Sequence, residues 1–210
     1  VGPLLTHSVP PEVTASTGLD AFTQVLEPYV SHLANPVTDG FCCEGLWRAA
    51  SALQRAYDDG SDAEAREDMA LVSLLGGLAL ANAKLGAVHG FAGVLGGMFD
   101  APHGVICGRL LPYVMETNVN ALTSRDSESP ALDRYADIAA ILTGEFDATP
   151  QDAVDWVCDL CHGLDVPGLA TYGVQTTDFS EIIQKSQRSS SMKGNPIRLS
   201  DGELAAILER

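Results

Sequence analysis

The stretch Met69 to Ala83, MALVSLLGGLALANA, limits the possible folds more than any other part of this 210-residue chain. Its fifteen residues carry no charge and end at Lys84. A buried β-strand runs to about eight residues, whereas a membrane-spanning helix needs about 20 apolar ones. What fits between those limits is a core helix covered by other helices. No segment alternates convincingly between apolar and polar residues, aromatic residues are few, and alanine, leucine and glycine are plentiful. That combination favours closely packed helices over a β-sandwich. The expected fold class is all-α, a helical bundle forming a single domain over residues 1–210.

Capping signals divide the chain into helices. After a lead-in over residues 1–9, a first helix is expected from Pro10-Pro11 to about His32. Val25, Leu26, Tyr29 and Val30 supply its packed side, and Pro28 should kink it. Asn35-Pro36 reads as cap and first residue of a second helix ending near Asp58. Ser61-Asp-Ala-Glu64 has the capping-box pattern and opens the third helix, which contains the apolar run. A fourth is expected over Ala87–Phe99 and a fifth over His103–Asn118, with Thr123–Pro130 as a surface loop or helix extension. Ala131–Thr143 follows, then a helix from Thr149-Pro150 to Leu164. Two short helices complete the set, behind Asp178-Phe-Ser-Glu181 and Ser200-Asp-Gly-Glu203.

The formal net charge is −16, and the basic cluster Lys185, Arg188 and Lys193 is too thin to hold a phosphate backbone, so a nucleic-acid partner is not expected. A membrane partner is not expected either, given the length of the apolar run. The five cysteines, Cys42, Cys43, Cys107, Cys158 and Cys161, are odd in number and lack a disulfide-framework spacing. Free thiols in a reducing cytoplasm account for them. The opening Val1-Gly-Pro lacks the pattern of a signal peptide and has no initiating methionine, which suggests a piece of a longer protein.

Chemistry concentrates between Leu85 and Tyr113, LGAVHGFAGVLGGMFDAPHGVICGRLLPY. His89 and His103 lie fourteen residues apart, each followed by glycine. Pro102 near the first position of a helix would place the His103 imidazole where that helix begins. Taken alone, two such histidines are more often hydrogen-bonded core residues than ligands. Far upstream, Asp20 and Gln24 stand four residues apart, on one face of the first expected helix.

TGLDAFTQ (17–24), EPYVS (27–31), ANPVTD (34–39), GAVHGFAGVLGG (86–97) and APHGVICGRLLPYVMETN (101–118) together resemble the iron-containing alcohol dehydrogenase family, within the dehydroquinate synthase and iron alcohol dehydrogenase superfamily. The segment from Ser189 to Ile197 is similar to the family's C-terminal part and suggests an ordered loop. The resemblance covers nearly all 210 residues but corresponds only to the family's C-terminal helical half. It implies a divalent metal, Fe(II) or Zn(II), held by an aspartate, a histidine four residues later, and two histidines from a segment like Leu85–Tyr113. Asp20, His89 and His103 match three of those positions, and Gln24 occupies the fourth. The related glycerol dehydrogenases hold zinc with one aspartate and two histidines, so Gln24 need not remove the metal. It could instead hydrogen-bond the metal-bound water or substrate. Gly93 stands where many members carry a histidine near the nicotinamide.

By the same resemblance the parent protein interconverts an alcohol and an aldehyde or ketone by hydride transfer with NAD(P). Its nucleotide-binding α/β domain, with a GGGS-type turn, has no counterpart here. Such a chain is expected to bind metal and substrate but not to turn over alone, and to self-associate as a homo-oligomer. Two other readings stand beside this one: an oxo-acid reductase like the maleylacetate reductases, and a non-catalytic helical module that has lost its metal.

Cys158-Asp-Leu-Cys161-His162 matches the pattern for covalent haem attachment. It lies inside a strongly patterned helix with Val154, Val157 and Leu160 as core residues, so two buried thiols on a helix are expected instead.

Overall fold

The computed structural model describes residues 2–210, and among these there are nine α-helices, a few short 3-10 turns and no strand. Helix α1 (Pro11–Val30) is the centre of the bundle. It packs against α2 (Pro36–Asp58), α3 (Ala63–Ala83) and α5 (His103–Arg125). The short helix α4 (Ala87–Met98) lies on α5 and on α8 (Phe179–Ser186). Helix α6 (Pro130–Thr143) pairs with α7 (Pro150–Gly163), and α7 in turn backs α5. The last helix, α9 (Asp201–Leu208), closes against α5 and α8. One core runs through all of this, with Phe22 and Leu26 of α1, Leu46 and Leu53 of α2, Phe91 of α4, Met115 of α5 and Tyr135 of α6 almost wholly buried.

The all-α expectation holds, and most of its boundaries do. Asn35 caps α2 through Oδ1, which accepts from the Val37 and Thr38 amides, while the Thr38 hydroxyl accepts from the Asn35 amide. At α9 the Ser200 hydroxyl accepts from the Glu203 amide and the Glu203 carboxylate accepts from Ser200. The cap of α3, however, is Asp62, which accepts from the Ala65 amide; Ser61 instead donates to Asp59. Asp178 does not cap α8 with its side chain. Its carboxylate is engaged one turn earlier by the Gln175 amide. Helix α5 runs on to Arg125 rather than stopping near Asn118, so the polar residues 123–125 extend it into solvent. Pro102 is the cap of α5 rather than its first residue, and Pro28 falls in the last turn of α1, which ends two residues later.

The apolar run is helical, as expected, but only one side of it is buried. Val72, Gly76, Ala79 and Ala83 face the bundle, while Leu74 and Leu78 are 46% and 41% exposed. Among the described residues no single helix is long and apolar enough to cross a membrane; α3 and α4 together would qualify only as a pair bent by 103°.

Two glycines of α5 fix its crossing with α1. A Cβ at Gly104 would lie 1.9 Å from the Ser16 carbonyl oxygen, and one at Gly108 would lie 2.5 Å from Leu19 Cδ1. At Gly104 the backbone of α1 takes the space of a side chain, and at Gly108 the Leu19 side chain does, so both positions require glycine for this packing. Because Gly104 follows His103 and Ser16 lies one turn before Asp20, the contact brings the first turns of α5 against the middle of α1.

Candidate metal centre

Along α1, Asp20, Gln24 and Glu27 recur at helical spacing and face α4 and α5. Glu27 is almost completely buried, which demands a partner for its charge. It finds one at the start of α4. The cap residue there is Gly86, which has no side chain to satisfy the free amides of the first turn. Glu27 accepts from the Val88 amide at 2.7 Å and the His89 amide at 3.4 Å, and Asn195 Oδ1 accepts from the Ala87 amide at 3.1 Å. A Cβ at Gly86 would come within 2.8 Å of Glu27 Oε1, so the absent side chain is what admits the carboxylate. The positive end of the helix and the buried anion stabilise each other. Asn195 belongs to the segment Ser189–Ile197, and its side chain exchanges hydrogen bonds with Asn118 of α5.

Glu27 also holds the His89 ring, with Nδ1 and Oε2 2.7 Å apart. That contact turns Nε2 toward α1, where it lies 3.1 Å from Asp20 Oδ1. His103, the first residue of α5, brings its Nε2 to 3.7 Å from the same oxygen, and the two imidazole centroids are 5.4 Å apart. Gln24 Nε2 donates to Asp20 Oδ1 at 3.0 Å. Cys107 stands one turn beyond His103 and is fully buried, with Sγ 3.9 Å from both Asp20 Oδ1 and His89 Nε2. One ligand atom from each of Asp20, His89, His103 and Cys107 falls within 4.8 Å of all the others. His103 forms the open side of this cluster, its side chain 46% exposed, while His89 and Cys107 close the inner side.

The electrostatics match the geometry. Burial opposes a charge on Asp20, but the hydrogen bond to His89, the charges of His89 and His103 and the Gln24 amide outweigh it and hold its pKa below 3.8. Burial likewise works against a charged His89. Hydrogen bonds to Asp20, Cys107 and Glu27, together with the Glu27 charge, prevail and push its pKa up to about 12. Burial raises the Cys107 thiol to about 11, against the pull of His89. Two carboxylates therefore surround an imidazole that, without a metal, must carry a proton. A divalent cation at the same point would replace that proton.

The donor set fits such an ion. A carboxylate oxygen and two imidazole nitrogens converge, and the inner imidazole is oriented by a carboxylate on its far nitrogen, as metal-bound histidines commonly are. The structure thus brings Asp20, His89 and His103 together. It places Gln24 beside them with its amide nitrogen directed at Asp20. Reading the sequence passed over Cys107 and Glu27. Both lie at helical spacing from residues already noted: Cys107 is four residues, one turn, from His103, and Glu27 is seven residues, two turns, from Asp20. The α7 cysteines do not join the cluster. Cys161 is buried and donates to the Gly108 carbonyl at 3.2 Å, Cys158 is half-buried rather than buried, and His162 is exposed.

Comparison with known proteins supports the same segment-wide likeness. Residues 14–210 match the model of the C-terminal part of the Fe-containing alcohol dehydrogenase family. The chain is similar to long-chain-alcohol dehydrogenase 1 of Geobacillus thermodenitrificans, with 49% identity over 216 residues covering 100% of this chain and 52% of that protein. It is also similar to alcohol dehydrogenase 4 of Schizosaccharomyces pombe, with 38% identity over 204 residues covering 97% and 46% respectively. Among solved structures, a 1,3-propanediol oxidoreductase superposes with a TM-score of 0.89 at 37% identity, covering 99% of this chain and 53% of that one. The chain thus spans about half the length of the relatives it matches. From the match over residues 14–210 and the closeness of these relatives, it follows that the chain belongs to the Fe-containing alcohol dehydrogenase family, in its C-terminal part.

Proposed function

We propose that this chain is the metal-binding helical part of an NAD(P)-dependent alcohol dehydrogenase, holding a divalent cation through Asp20, His89 and His103. The observation that carries the reading is the convergence of those three side chains on one point, two of them within 3.7 Å of the same Asp20 oxygen. A bound metal supplies Lewis acidity toward the oxygen of an alcohol, aldehyde or ketone. Asp20 contributes the negative charge that a cation needs in a half-buried site. Glu27 fixes the tautomer of His89, keeping the Nε2 lone pair free for the cluster. Gln24 holds Asp20 in place by donating to it rather than by offering a lone pair of its own. The exposed flank of His103 is where a small substrate reaches the centre. Nicotinamide chemistry belongs to the cofactor, and we assign its binding to the part of the relatives' length that this chain does not span.

The test is metal content. Protein purified without chelator should carry close to one zinc or iron per chain by elemental analysis, and metal removal should lower its melting temperature by mass action. Asp20→Ala should remove the metal while leaving the helical circular dichroism intact. A wild-type chain that takes up neither metal, and melts identically with and without zinc, would falsify the assignment and leave a helical module without a metal.

A further inference from the structure

We infer that Cys107 is a ligand of this same centre, which makes it an aspartate, two-histidine and cysteine site that favours zinc over iron. The inference rests on the metal-binding reading above and adds to it a residue and a metal preference.

Three observations meet at Cys107. First, its position: α5 offers His103 and Cys107 one helical turn apart on the side facing α1, and the close contact of Gly104 and Gly108 with α1 fixes that side. Second, its surroundings: the side chain is fully buried, yet Sγ faces two polar groups at the same distance, 3.9 Å from Asp20 Oδ1 and 3.9 Å from His89 Nε2. Both contacts are weak hydrogen bonds, at the long end for sulfur. They lie near the spacing of atoms sharing a tetrahedral ion. With metal–nitrogen and metal–oxygen bonds of about 2.0–2.1 Å and a metal–sulfur bond of about 2.3 Å, ligand atoms sit roughly 3.3–3.6 Å apart. The 3.1, 3.7 and 3.9 Å edges reach those values with shifts of a few tenths of an ångström, and the two edges joining His103 to His89 and to Cys107 lie within 4.8 Å. Third, the placement of Gln24: its amide nitrogen donates to Asp20 at 3.0 Å while its amide oxygen lies against Gly76 of α3, so α1 brings one ligand atom to the centre, and the helix opposite brings Cys107.

Binding converts the Cys107 thiol to a thiolate, its proton leaving to solvent, with no change of oxidation state. Thiolate beside imidazole and carboxylate suits zinc and cobalt(II). An all-oxygen and nitrogen set would accept magnesium, manganese or iron(II) more evenly. The open flank at His103 lets a substrate oxygen approach as an additional ligand.

The experiment uses the full chain stripped of metal and titrated with cobalt(II). The expected result is a set of visible ligand-field bands with an intense thiolate-to-cobalt charge-transfer band in the near ultraviolet. The charge-transfer band should be lost in both Cys107→Ser and Cys107→Ala, and the ligand-field bands weakened but retained. Zinc affinity should fall at least tenfold in the same variants. X-ray absorption of the zinc-loaded wild type should independently show one sulfur at about 2.3 Å, which holds even if the variants fold poorly. Cobalt or zinc bound with no sulfur in its shell overturns this inference and leaves the metal-binding reading standing. A chain that takes up no cobalt and no zinc overturns both.

Discussion

Two parts of the molecule bring thiols and imidazoles together, one in sequence and the other in space. On α7, Cys158, Cys161 and His162 fall within five consecutive residues; where α1, α4 and α5 meet, Asp20, His89, His103 and Cys107 come from positions up to 87 residues apart. The compact motif does not form a site. Its residues diverge around the helix, so that Cys161 is buried against the Gly108 carbonyl, Cys158 is half-buried and His162 meets solvent. The dispersed set converges within 4.8 Å. Neighbours in a helical sequence point 100° apart, whereas residues on crossing helices can face a common point. Cys161 instead contacts the backbone of α5 at Gly108, one residue beyond Cys107.

The strongest way to break this contrast is to part the crossing helices. Gly104→Ala introduces a Cβ 1.9 Å from the Ser16 carbonyl, which neither backbone can avoid without moving. Overpacking of this kind costs about 3 kcal/mol. The variant should melt well below wild type and retain no stoichiometric metal, as followed by calorimetry and elemental analysis. Full metal content in Gly104→Ala would mean that the α1–α5 contact does not position the ligands.

A smaller effect is expected one layer out. Glu27→Gln keeps the size of the side chain but removes the buried charge that anchors His89 and caps α4. Zinc affinity should drop roughly 10–100-fold, the usual effect of losing such a partner, measured by competition with a chromophoric chelator. Unchanged affinity together with a lowered melting temperature would confine Glu27 to capping.

Acidity sharpens the comparison further. In the metal-free chain the His89 pKa rises from 6.5 to about 12. Its proton therefore stabilises that state fully below pH 6.5 and contributes less and less as the pH climbs toward 12. A metal ion must displace the same proton, so its affinity increases with pH over this window. The zinc-induced rise in melting temperature should accordingly be larger at about pH 8.5 than at 6.5. An equal rise at both would place the displaced proton elsewhere. The smallest effect belongs to α7: Cys158→Ser should leave metal content unchanged and alter stability by about 0.5 kcal/mol or less. Loss of metal in that variant would reverse the comparison.

Much of the architecture was legible residue by residue. Asn35-Pro36, Thr149-Pro150 and Ser200 through Glu203 mark real helix starts, because a cap is settled by the few amides beside it. Ser61 and Asp178 misled for a similar reason. Each had a nearer competitor, Asp59 as acceptor for the Ser61 donors and the Gln175 amide as donor to the Asp178 carboxylate, and a short pattern cannot rank two partners within reach. The apolar run announced a helix but not that Leu74 and Leu78 would face outward, since its two sides are equally apolar. Three candidate ligands were visible through the resemblance of their segments to a known family. Cys107 and Glu27 follow from helical spacing only once it is known which face of α5 and α1 looks inward.

The amino-acid sequence by itself determined an all-helical chain, the approximate ends of its helices and three residues suited to a cation. These depend on interactions within about one turn of backbone or on segments matched as strings. The tertiary structure alone decided that Asp20, His89, His103 and Cys107 converge within 4.8 Å, that Glu27 holds the His89 ring and that the α7 cysteines stand apart. That outcome depends on where α5 crosses α1, and the crossing is set by Gly104 and Gly108 against Ser16 and Leu19, contacts between segments distant along the chain that local patterning does not encode.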